Sequence, residues 1–107
     1  MGKAPDKKVI KEIKKFKERV SRKYKVDKII LFGSRARGSY KKESDVDLTI
    51  ISKDFKKIKF LDRSRGLYLT WGAEYPVDFF CYTPEEFKKM KKRLTIGRMI
   101  HKEGIAV

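Results

Sequence analysis

Hydrophobic positions change their period along this chain, and each change marks an element. Val9, Ile13, Phe16, Val20 and Tyr24 recur at steps of three and four on an otherwise basic stretch. One apolar stripe at that spacing predicts an amphipathic helix. Asp6 is placed to start it, and the helix is expected to fade near Tyr24. KIILF, residues 28–32, is a short apolar run ending at a glycine and predicts a buried strand. VDLTIIS, residues 46–52, alternates at first and predicts a second strand. FLDRSRGLYLTWG, residues 60–72, predicts a helix that Gly66 weakens. PVDFFCY, residues 76–82, predicts a third strand, opened by Pro76.

The clearest helix start follows. Thr83 is a natural N-cap, Pro84 suits the first helical position, and Glu86 can close a capping box. That helix carries Phe87, Met90 and Leu94 and is expected to run on towards His101, with GIAV as a short terminal strand. Helices and strands in this order predict an α/β fold, one domain over residues 1–107 with a small mixed sheet flanked by helices.

Composition narrows the class. A chain of 107 residues has room for one core. Its hydrophobic content of 40 % is ample for a packed globule and wrong for a disordered chain. No apolar run approaches the roughly 20 residues of a membrane span, and MGKAPDKKVIKE has no apolar centre for a secretion signal. Cys81 is the sole cysteine, which excludes a disulfide framework and a cysteine metal site. These features together predict a cytoplasmic protein with no membrane contact.

Twenty-nine Lys and Arg against fourteen acids leave a net charge of +15. Such a surface attracts nucleotides, nucleic acid or an acidic protein. The absence of Asn and Gln beside abundant Lys also resembles the drift of heat-adapted proteins. Charge alone therefore names no ligand.

The chemistry is concentrated in ILFGSRARGSYKKESDVDLTII, residues 30–51. Gly33 follows directly on a predicted strand, and Ser34-Arg35-Ala36-Arg37 can begin a helix. Taken alone, Gly33 reads first as a strand-to-helix turn. A glycine there also admits close approach to the backbone, and helix-start N–H groups with a serine hydroxyl form an anion site. Arg35 and Arg37 add charge, only one of them expected to face the same way. Asp45 and Asp47 lie two apart, so their side chains project to one face. Two neighbouring carboxylates repel unless a cation lies between them. Ser44-Asp45 alone reads as a turn; Asp47 lies within an apolar run, where a charge is costly without a partner. Asp78 repeats that oddity within VDFFCY, and neighbouring strands would bring it to Asp47. A phosphate loop with three convergent carboxylates is what metal-assisted phosphoryl or nucleotidyl transfer requires.

Gly33-Ser34, ten further residues, then Asp45-Val46-Asp47 resembles the G-S-x10-D-x-D motif of the DNA polymerase β-like nucleotidyltransferase superfamily. FGSRARGSYKKESDVDLTI, the later Asp78 and the chain length resemble its smallest members, the minimal nucleotidyltransferases (MNT or MntA-type) encoded beside HEPN-domain toxins. The resemblance implies a polymerase β-like palm. It implies that Gly33 and Ser34 hold the β- and γ-phosphates of a nucleoside triphosphate, with Arg35 or Arg37 neutralising phosphate charge. Asp45, Asp47 and Asp78 would ligate two Mg²⁺ ions, Asp78 also helping to activate the acceptor hydroxyl. Further implied are ATP as donor, an antitoxin role, and transfer of AMP to a tyrosine of the HEPN toxin, a partner that must present the acceptor.

Other residues read as structural. His101 lies among Arg98 and Lys102 as a surface or helix-end residue, Cys81 as a small core residue, Trp71 and Tyr68 as packing. The lysine runs read as solvated faces. Two alternatives remain: an antitoxin that neutralises its partner by stoichiometric binding, and a basic nucleic-acid-binding module.

Overall fold

The first helix begins where a side chain can accept its free N–H groups. The computed structural model describes residues 4–92, 100 and 103–107. Asp6 accepts from the backbone N–H of Lys8 at 3.1 Å and of Val9 at 3.3 Å, which is how an N-cap acts. Helix α1 then spans Lys7–Val20, with Val9, Ile13, Phe16 and Val20 buried along one side. Tyr24, expected on the same stripe, lies beyond the helix in a turn, its N–H on the Val20 carbonyl at 2.9 Å.

The remaining elements are β1 (Val26–Phe32), α2 (Ser34–Arg37), β2 (Val46–Ser52), α3 (Arg65–Trp71), β3 (Val77–Tyr82), α4 (Pro84–Lys91) and β4 (Ile105–Ala106). β1 starts two residues before its apolar run, because its exposed entry needs only ladder pairing. The helix expected over residues 60–72 is divided into a 3₁₀ turn, Phe60–Asp62, and α3. Arg63 lies between them and turns inward. Its guanidinium donates to the Ile58 carbonyl at 3.0 Å, the Cys81 carbonyl at 3.3 Å and the Glu86 carboxylate at 2.6 and 3.2 Å. Another 3₁₀ turn, Lys53–Lys57, had no periodic signal in the sequence.

The strands form one mixed sheet in the order β3-β2-β1-β4. β1 pairs antiparallel with both β2 and β4, whereas β2 and β3 are parallel. A parallel pair requires a crossover, and residues 53–76, carrying α3, supply it. Alternation of side chains gives the sheet two apolar faces. Ile29, Leu31, Val46, Leu48, Ile50, Phe79 and Cys81 pack with α1, Leu67 and Trp71. Phe16 lies at the centre of that core, its ring 5.5 Å from Trp71 and 5.3 Å from Phe79. On the opposite face Ile30, Phe32, Ile51 and Tyr82 meet Phe87 and Ile100.

α4 opens with the full capping box. The Thr83 hydroxyl accepts from the Glu86 N–H at 3.2 Å, and the Glu86 carboxylate accepts from the Thr83 N–H at 2.8 Å. Glu86 is also held by Arg63, which, with the cap, keeps its carboxyl below the usual range despite some burial. Leu94, Arg98, His101 and Lys102 lie outside the described residues. Among those described, no helix is long and apolar enough to cross a membrane.

One buried ion pair joins α1 to the loop ahead of β2. Arg35 and Asp6 meet at 2.5 Å, their side chains 2 % and 7 % exposed. The same guanidinium donates to the Ser44 carbonyl at 3.0 and 2.9 Å and to the Lys42 carbonyl at 3.2 Å. The rings of Tyr40 and Tyr75 lie 5.1 and 4.9 Å from its central carbon. Removing one member of a buried, hydrogen-bonded pair strands the other, at a cost of about 3–5 kcal/mol. Arg35→Met is therefore expected to lower unfolding free energy by about 3 kcal/mol, read as a lower urea midpoint at unchanged slope.

Candidate active site

Strand register decides which acids meet. In the parallel pairing of β2 with β3, Asp47 lies opposite Asp78, and in the antiparallel pairing of β1 with β2, Phe32 lies opposite Asp47. Asp45 stands one step ahead of β2, on the side of the sheet that Asp47 faces. Three carboxylates thus share one end of the sheet face that also carries Phe32 and Phe80. Those two rings lie 5.3 Å apart and belong to the apolar packing under α4, so the acids stand at the margin of that cluster.

Gly33 comes directly after Phe32 and so reaches the same end. Its φ of +77° lies in the left-handed region that glycine tolerates best. A Cβ there would overlap the Asp47 Oδ2 atom. The backbone of the loop therefore passes directly against a carboxylate, and only glycine leaves room. From Gly33 the chain enters α2, whose first-turn N–H groups have no carbonyl of their own helix to bond. The Gly33 carbonyl accepts from Ala36 and Arg37, each at 3.1 Å, closing the turn.

The acids differ in environment. Asp47 is half-buried, whereas Asp45 and Asp78 are exposed. The exposure of Asp78 corrects the expectation of a charge embedded in an apolar strand: β3 is a sheet edge, and Asp78 stands at its mouth in water. Burial raises the Asp47 carboxyl above its ordinary range, and the charges of Asp78 and then Asp45 push it the same way; Arg37 opposes them. Cys81, a core residue as expected, has its thiol pushed up to about 12 by burial, partly offset by Arg63.

The two arginines of the loop part company. The Arg37 side chain is half exposed, acts electrostatically on Asp47 and lies 3.7 Å from Glu103. Arg35 points the other way, with its guanidinium committed to Asp6 and the Ser44 and Lys42 carbonyls. Of the two arginines, Arg37 is therefore the one whose charge bears on the acids. The Asp6–Arg35 pair had no local signal, because its partners are 29 residues apart.

The donor set fits a hard divalent cation. Carboxylate oxygens with room beside them at Gly33 suit Mg²⁺, which commonly takes one or two carboxylates together with substrate phosphates. Among the described residues no group of three acids, histidines or cysteines is preformed as a metal cluster. Register sets Asp47 and Asp78 side by side, and these with Asp45 are the carboxylates that would hold such a cation.

Comparison with known proteins agrees with this geometry. Residues 13–104 match the model of the nucleotidyltransferase domain family. A Methanocaldococcus jannaschii protein, MJ0141, provisionally named a protein adenylyltransferase, is 48 % identical over 71 residues, or 64 % of this chain and 72 % of the relative. A second from that organism, MJ0604, provisionally named likewise, is 43 % identical over 66 residues, covering 59 % of this chain and 64 % of its own length. A Sulfolobus solfataricus crystal structure, described provisionally as a nucleotidyltransferase, superposes with a TM-score of 0.65 at 25 % identity. It covers 90 % of this chain and 76 % of that one.

Crowding at Asp47 has a measurable thermodynamic consequence. The folded chain holds the Asp47 proton to higher pH than the unfolded chain does. Folding therefore takes up a proton between the ordinary carboxylate range and the raised value, and stability falls as pH rises through that window. Above it, the loss is complete. Asp47→Asn is expected to melt at a higher temperature than the parent near neutral pH without divalent metal. The gap should close as pH falls into the ordinary carboxylate range, and Mg²⁺ should narrow it by stabilising the parent alone.

Proposed function

Since the chain belongs to the nucleotidyltransferase domain family, we propose that it is a protein adenylyltransferase, moving AMP from ATP to a tyrosine hydroxyl of a HEPN-domain toxin for which it is the antitoxin. One observation carries the reading: the register that sets Asp47 beside Asp78 against the glycine turn at Gly33. The provisional names of the M. jannaschii relatives support a protein acceptor. The toxin partner rests on the resemblance to minimal nucleotidyltransferases.

In this reading Gly33 and Ser34 receive the β- and γ-phosphates, and Arg37 offsets their charge from the exposed side. Asp45, Asp47 and Asp78 hold divalent cation, two Mg²⁺ ions in the full assembly. When bound, the metal withdraws charge from the phosphoryl oxygens and the leaving pyrophosphate. The protein's own contribution is alignment. Asp45 and Asp78 are both open to solvent, and Asp78, on the edge strand, is the one this reading assigns to the incoming acceptor. Its carboxylate accepts the proton of the acceptor hydroxyl as that oxygen bonds to the α-phosphorus. The bond from the α-phosphorus to the bridging oxygen breaks on the opposite side, and pyrophosphate leaves with that electron pair. Asp47, held in the middle strand, fixes the position of the centre.

A purely stoichiometric antitoxin has no use for the arrangement at Asp47, which costs stability for no gain in binding. The test uses ATP labelled at the α-phosphate, Mg²⁺ and the protein encoded beside this chain, which this reading takes to be the HEPN-domain toxin. Label should move to the HEPN protein, and Asp47→Asn or Asp78→Asn should each reduce the rate by about 10²-fold or more. Toxin neutralised equally well by Asp47→Asn, with no label moved by the parent, would establish the binding role instead. Arg37→Ala is expected to raise the KM for ATP about tenfold while leaving the urea midpoint unchanged, the converse of Arg35→Met.

A further inference from the structure

Among the described residues, the exposed large apolar side chains gather in one stretch of chain. Of five large hydrophobics found exposed among the described residues, four lie in the crossover: Phe60 at 55 %, Leu61 at 86 %, Tyr68 at 46 % and Leu69 at 89 %. In a chain with 40 % charged residues, this clustering is not what scattered surface exposure produces.

The segment is firmly seated, so the exposure is not a frayed end. Leu67 and Trp71 are buried in the main core, and Arg63 ties the segment to the Cys81 carbonyl and to Glu86. Arg19 donates to the carbonyls of Thr70 and Trp71 at 3.0 and 2.7 Å, holding the end of α3. Arg63 and Ser64 keep right-handed helical torsions, so the path from Phe60 to Trp71 is nearly continuous. Leu61, Arg65 and Leu69 recur at steps of four and share a side, as do Phe60 and Tyr68 with Ser64 between them. The ridge follows the free edge of the sheet: the Phe60 ring lies 5.9 Å from Tyr82, and the Tyr68 ring 5.0 Å from Phe79. Phe79 is the neighbour of Asp78. Side chains alternate along β3, so Phe79 faces the α1 side and Asp78 the other, and the ridge runs along the edge strand whose mouth carries the acid that an acceptor must reach.

We infer that the ridge of Phe60, Leu61, Tyr68 and Leu69 is the docking surface for the acceptor protein, whose matching face is apolar with an acidic rim. This rests on the proposed transfer to a protein hydroxyl and adds the surface by which that protein is held. Charge selects the occupant. Residues 53–71 carry six Lys and Arg against two acids, with Lys56, Lys57, Lys59 and Arg65 exposed around the leucines. A second copy of a chain with charge +15 would bring like charges together at the rim. Nucleic acid would satisfy the lysines, but the rings of Phe60 and Tyr68 are already engaged by Tyr82 and Phe79, and the two most exposed side chains, Leu61 and Leu69, offer no stacking face. An apolar centre within a basic rim fits a protein of opposite charge.

The test is the double variant Leu61→Asp/Leu69→Asp, at two positions so exposed that the fold is retained. Labelled AMP transfer to the HEPN-domain protein is measured over a range of acceptor concentrations, with binding followed by sedimentation. The KM for the acceptor should rise about tenfold or more, with the KM for ATP and the rate at saturating acceptor unchanged. An unchanged acceptor KM, with label still moving, overturns the docking surface and leaves the proposed function standing. If the parent moves no label but forms a complex that the double variant loses, the surface stands and the transfer reading fails. No complex and no transfer by the parent overturns both. A parent that sediments as a dimer, dissolved by the double variant, or a complex displaced by a single-stranded oligonucleotide, assigns the ridge to another occupant and overturns the inference.

Discussion

A single guanidinium fixes the relation between the first helix and the loop that carries the acids. Arg35 emerges from α2, pairs with the residue that caps α1, and collects the carbonyls of Ser44 and Lys42. The residue after Ser44 is Asp45. An interaction buried on the far side of the loop therefore sets the approach of the chain to β2, while two tyrosine rings shield it from water. Its five donors suit this task in a way a lysine could not, because a planar fork can hold a carboxylate and two carbonyls at once. The reactive end of the sheet stands on this pair, although no atom of Arg35 need touch a substrate.

The acids themselves make a different compromise. A net charge of +15 would draw a triphosphate to almost any part of this surface, so attraction alone cannot position it. Position comes from the local reversal of sign, where three carboxylates share one sheet end and one of them is half-buried. The fold bears their repulsion, which a divalent cation would relieve. Stability is traded for readiness at the site, at the margin of the apolar cluster to which Phe32 belongs.

Much of this was legible in the sequence because it is local. The capping box at Thr83, the stripe on α1 and the strand runs each depend on residues within a few positions. The adjacency of Asp47 and Asp78 was also within reach, since both sit near the start of apolar runs that must pair. What escaped was relational. Nothing near Arg35 announces a partner at Asp6, and so its charge looked available for phosphate. The exposure of Asp78 depends on β3 being a sheet edge, which sheet order alone determines. The division of residues 60–72 follows from Arg63 turning inward to reach Cys81 and Glu86, partners from later in the chain.

The parallel pairing of β2 with β3 has a consequence for how such a protein can diversify. Because these strands run in the same direction, the chain must leave the sheet and return, and residues 53–76 make that excursion outside the ladder that aligns Asp47 with Asp78. The excursion can lengthen, shorten or change its outer face without shifting the register. The loop from Gly33 to Asp45 has no such freedom, since Arg35 and the Gly33 contact fix both its ends. Chemistry and recognition thus sit on separately mutable stretches of one short polypeptide, and new recognition can arise without rebuilding the reaction centre.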